Sequence, residues 1–220
     1  MPGATITDEA VLHKVEGGGS PPARRDGGDG GGDEHRPGVP RAPRSAYFTA
    51  LGLGLASILM FFMALTSAFI VRKGLGGDWQ PFELPRLLWL TTAVLIASSF
   101  TIEYARRRLA RADISGFRLW WSITTLLGLL FLGGQYAAWL ALRGQGVFLA
   151  SNPSSSFFYV LTGAHGAHLV GGILALFYVS LRSWQGIAQR RATAADVTTV
   201  YWHFMDGLWV FLFLLLHLGR

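Results

Sequence analysis

The stretch Thr198–Leu218, TTVYWHFMDGLWVFLFLLLHL, is long and apolar enough to cross a bilayer, yet His203 and Asp206 lie in its first half. A hydrocarbon core of ~30 Å, crossed at 1.5 Å per residue, takes about 20 apolar residues. Four further stretches reach that length, at roughly 47–71, 86–105, 117–141 and 156–181, with 197–218 as the fifth. The connections GLGGDWQPFELP, RADISG and RGQGVFLASNPSS are short and rich in turn residues, so neighbouring helices are expected to run antiparallel. Strands are not expected, because only helices or closed barrels satisfy every backbone polar group in lipid. The predicted fold is all-α: an integral membrane bundle of five transmembrane helices over residues 47–220.

The chain is 51% hydrophobic and 15% charged, against roughly 25% charged for an average soluble domain. The glycine- and proline-rich segments gather in residues 1–46, which cannot bury enough apolar surface to offset ordering and are predicted to form a disordered cytoplasmic tail. No short apolar leader precedes Tyr47, so the first span is expected to be retained. With no cysteine, disulfides, thiolate metal sites, c-type haem attachment and a paired-cysteine copper centre are all excluded.

The net charge of +6 does not predict a nucleic-acid partner, because the arginines flank apolar spans instead of covering one soluble face. Fourteen of the nineteen Lys and Arg residues fall in the tail, the 106–118 loop and the 182–196 segment. The positive-inside rule then puts the N-terminus in the cytoplasm and the C-terminus outside. Trp and Tyr near span ends, Trp202 and Trp209 with them, and the snorkelling Arg106 and Arg107 are candidates for the lipid interface.

A charged side chain at mid-membrane costs at least ~2.5–3.5 kcal/mol, so intramembrane polar residues require partners. His165 and His168 share one face of the fourth helix, and His203 and Asp206 share one face of the fifth. Counted at 1.5 Å per residue from the inner ends, His168 lies about 20 Å up and Asp206 about 14 Å, which invites pairing between the two helices. One reading of His165, His168, His203 and Asp206 is an autonomous haem or metal site. The other, which the flanking glycines and Trp202, Phe204 and Trp209 favour by filling the space, is a structural polar network.

Gln135, beside Gly133 and Gly134, is expected to hydrogen-bond across helices. Glu103 precedes Arg106 and Arg107 at helical spacing, a local ion pair or, less simply, a proton relay. Gly163, Ala167 and Gly171 recur at every fourth position, a small-residue seam for close helix packing.

Two motifs carry a resemblance. FFYVLTGAHGAHLVGG, with Phe158, Thr162, Gly163, His165, Gly166 and His168, is followed by a final helix containing Trp202, His203, Phe204, Asp206 and Trp209. Together they resemble subunit III of the haem-copper terminal oxidases, in its five-helix bacterial form. Ser98, Ser99, Thr101, Gly128 and Gln135 also stand where that family has them, and the similarity runs over about 47–219. Two departures are visible. Ile58 stands where many members carry a buried carboxylate, and Ala137 and Ala138 where members often have a glutamate.

The resemblance implies an accessory subunit of a bacterial plasma-membrane respiratory complex that reduces dioxygen to water and pumps protons. It implies no cofactor in this chain, with haem and copper in partner subunits. Its implied partners are subunit I directly, subunit II, small subunits and phospholipid, and its implied role is to support subunit I stability and proton uptake. A nitric-oxide-reductase accessory protein of the same fold is the related alternative.

Overall fold

The computed structural model describes residues 43–75, 77, 79, 84–183 and 188–219; the tail, and with it the expectation of disorder, lies outside them. Five helices follow in order: α1 Arg44–Leu75, α2 Leu87–Ala110, α3 Ile114–Gly144, α4 Pro153–Ser183 and α5 Ala188–Leu218. All five contain a segment long and apolar enough to span a membrane, and no strand occurs among the described residues. Each helix outruns its apolar stretch. α5 begins nine residues before Val197, because AQRRATAAD is built of helix formers that continue the coil into the polar interface.

Local chemistry sets the ends. At the α2–α3 turn, Ala112 takes a left-handed backbone (φ 59°) and lets the Asp113 N–H return to the Arg108 carbonyl at 3.1 Å. Asp113 then caps α3, accepting from the Gly116 N–H at 2.9 Å and from Arg108 at 2.9 Å. The Gly116 backbone bond first, then Ser115 and Arg108, hold its carboxyl below the usual aspartate range. Before α4, Asn152 accepts from the Ser155 N–H at 2.9 Å, and Pro153 occupies the first helical position, where a missing N–H costs nothing.

α2, α3, α4 and α5 form a closed ring, each touching two of the others in the order α2–α3–α4–α5–α2, while α1 lies outside it against α4 and α5 only. The core is therefore the interior of a four-helix bundle, filled by Phe131, Phe158, Leu161, Trp202, Met205 and Trp209. α1 buries only Phe62, Thr66 and Phe69. Because α1 and α2 both flank α5 without meeting each other, they leave a groove floored by α5. Along that floor Val200, His203, Gly207, Phe211 and Leu214 are exposed.

Candidate functional site

The intramembrane polar residues assemble chiefly on the seam between α2 and α5. Thr92, Ser98 and Ser99 of α2 are met by Trp209, Trp202, and Asp206 with His203 of α5. The Trp202 indole N–H donates to Ser98 Oγ at 2.9 Å, and Ser98 in turn donates to the Leu95 carbonyl at 2.6 Å. One layer away, the Trp209 N–H donates to Thr92 Oγ1 at 3.0 Å, and Thr92 donates to the Leu88 carbonyl at 2.7 Å. Each hydroxyl both accepts from a tryptophan and satisfies itself on its own helix, as a buried polar group must.

Between those layers the Ser99 hydroxyl donates to Asp206 Oδ2. Its oxygen also lies 3.1 Å from His203 Nδ1. With the hydroxyl hydrogen committed to Asp206, His203 serves as donor and Ser99 as acceptor. One serine thus ties together the two residues that stood out in the final helix. Asp206 is buried and His203 exposed on the groove floor.

This overturns the pairing of Asp206 with His168. α5 sits between α2 and α4, and the Asp206 face turns to α2, so the matching depth of His168 is irrelevant. His168 instead donates from Nδ1 to the Ala164 carbonyl of its own helix at 2.7 Å and packs on Phe61 and Phe62 of α1. Its own carbonyl accepts from the Tyr201 hydroxyl at 2.7 Å. His165 points into the bundle interior, its ring 5.0 Å from that of Trp209 and 6.0 Å from that of Phe131. Gln135 is also buried.

The four candidate ligands therefore point three ways: His203 and Asp206 to Ser99, His168 to α1, His165 into the bundle. Among the described residues no group of three His, Asp or Glu side chains is gathered around a point that could hold a metal ion.

Trp202 and Trp209 are fully buried, not at the lipid interface, because Ser98 and Thr92 offer acceptors inside the bundle. Close helix approach occurs at Gly128, where an added Cβ would lie 2.7 Å from Trp202 Cη2, and at Gly172, where it would lie 3.0 Å from Tyr201. Gly163 packs under Trp139, but Ala167 and Gly171 are exposed on the isolated chain. Glu103 accepts from Arg106 at 2.9 Å and Arg107 at 3.0 Å. Sequence reading missed Asp196, which accepts from Arg44 of α1 at 2.5 Å and faces Arg106 of α2 at 3.9 Å, closing one end of the groove.

A family profile described as cytochrome c oxidase subunit III matches residues 48–219. The chain belongs to the cytochrome c oxidase subunit III family. It is 37% identical over 171 residues to a probable cytochrome c oxidase subunit 3 of Nocardia farcinica, covering 76% of this chain and 84% of that protein. It is 38% identical over 171 residues to the probable subunit 3 of Mycobacterium tuberculosis, with the same coverage. To the cytochrome c oxidase subunit 3 of Thermostichus vulcanus it is 35% identical over 178 residues, covering 78% and 87%. Several residues that carried the resemblance in this subunit III chain meet in space: Ser98 with Trp202, Ser99 with Asp206 and His203, and Gly128 under Trp202.

Proposed function

We propose that this chain is the accessory, cofactor-free subunit III of a respiratory haem-copper oxidase, bound directly to subunit I, which carries haem and copper. The observation that carries the reading is the closure of the α2–α5 seam. Ser98, Ser99 and Thr92 take Trp202, Asp206 with His203, and Trp209 respectively, which supports a reading of these last-helix side chains as ties between helices. Opposed imidazoles, the usual means of holding haem in a bundle, are not what these histidines present.

The chain's work is then mechanical and interfacial: it buttresses subunit I, keeps proton uptake efficient and holds phospholipid. The groove between α1 and α2 suits one lipid. Arg44, Arg106 and Arg107 stand at its arginine-rich end, and an apolar floor of Val200, Phe211 and Leu214 runs away from them. In this reading that end faces the cytoplasm and the C-terminus lies outside, in the plasma membrane. Gln135, Glu103, His165, His168, His203 and Asp206 are its intramembrane polar network.

The test compares purified oxidase with and without this chain. Supporting function predicts equal initial oxygen reduction but slower proton uptake and earlier loss of activity without it. Identical lifetime and proton uptake would refute it.

A further inference from the structure

Two polar side chains deep in the bundle are unused by the α2–α5 seam. Among the described residues, His165 has no hydrogen-bond partner at Nδ1 or Nε2, and Gln135 has none at Oε1 or Nε2. Both are buried, at 1% and 3% exposure. The two helices fix their relative height. Trp139 donates to Thr162, and Gly128 lies against Ile173, a step of eleven residues down α3 and eleven along α4. That antiparallel register sets Gln135 level with Gly166, the residue next to His165. Phe131, one turn from Gln135, lies against the His165 ring. Gly166 carries no side chain at this level, and an added Cβ there would meet Leu132 Cδ2 of α3 at 4.0 Å, so the two helices face each other here.

We propose that Gln135 and His165 hold an internal water molecule between α3 and α4. A neutral imidazole offers one N–H and one lone pair, and the amide offers two N–H groups and a carbonyl. Water, which donates twice and accepts twice, answers both in either tautomer. Buried water typically makes roughly two to four bonds to otherwise unsatisfied groups of this kind. The walls of Phe131, Trp209 and Leu132 supply no competing acceptor, and no cation site is formed, because the amide and a single imidazole bring no charge. The water bonds α3 to α4 in the middle of the span, where Trp139–Thr162 is the direct polar link nearest to it.

The experiment is a density map of the intact oxidase at a resolution that shows ordered water, for the wild type and for Gln135→Leu. The expected result is a single-atom peak within hydrogen-bond distance of both side chains in the wild type, lost in the variant. A direct Gln135–His165 hydrogen bond, packing without a peak, or density larger than one water would each overturn the proposal. The wild-type map decides the matter even where the variant fails to assemble.

Discussion

Gly128→Ala probes a tight helix approach inside the bundle. A methyl carbon there would lie 2.7 Å from Trp202 Cη2 and 3.1 Å from Cζ2, against a normal carbon contact of roughly 3.5–4.0 Å. The indole must retreat by about 1 Å to restore that spacing. Its freedom to do so is limited, because its N–H is held on Ser98 at 2.9 Å and Gly172 of α4 lies beside its other edge, where even an added Cβ would come within 3.3 Å. Overpacking of a filled core costs ~1–3 kcal/mol, and losing the Ser98 bond adds about 1 kcal/mol.

The expected destabilisation of ~2–4 kcal/mol lowers the melting temperature by roughly 2–4 °C for each kcal/mol, read by thermal melting of the detergent-solubilised protein. Trp202→Phe removes the clashing atoms, so the double variant recovers about 1–2 kcal/mol relative to the sum of the singles. An unchanged melting temperature for Gly128→Ala, or strict additivity, refutes the packing argument.

Ser99→Ala strips Asp206 and His203 of their shared partner and costs ~1–3 kcal/mol, measured as earlier thermal release of the subunit from the oxidase; Ser99→Thr, which keeps the hydroxyl, loses less. Trp209→Phe removes an indole donor and leaves Thr92 still bonded to its own helix, so melting shows a loss of about 1–2 kcal/mol, mostly packing. Asp196→Ala frees the exposed Arg44 while Arg106 stays on Glu103, and changes stability by less than ~1 kcal/mol, but it should alter the amount of anionic phospholipid that copurifies if the groove holds lipid. Asp113 titrates lower folded than unfolded, so its capping contribution is complete above the unfolded aspartate range and fades as pH falls through the folded value. Asp113→Asn therefore flattens the acid limb of the stability profile, seen by melting the pair across pH 2–6.

Span number, helical class and family were legible because hydropathy and motif spacing are properties of the chain itself. Helix rotation was not. α5 is apolar nearly all round, so nothing in its pattern says that Asp206 faces α2 while Tyr201 faces α4. Gly171 and Gly172 show how fine the distinction is: one residue turns a helix by about 100°, which separates an exposed glycine from one pressed against Tyr201 and Trp202. Ser98 and Ser99 divide the same way, one taking Trp202 and the other Asp206. Asp196 escaped notice because its partners, Arg44 and Arg106, come from helices whose proximity only the fold reveals.

The central claim is that this chain supports an oxidase without holding a redox centre, and haem and metal analysis of the separated subunit tests it most directly. The account predicts no haem absorbance and no stoichiometric copper or iron in the subunit, with both retained by the remaining complex. One equivalent of haem or metal travelling with this chain, and lost on replacing His165 or His203, would contradict it.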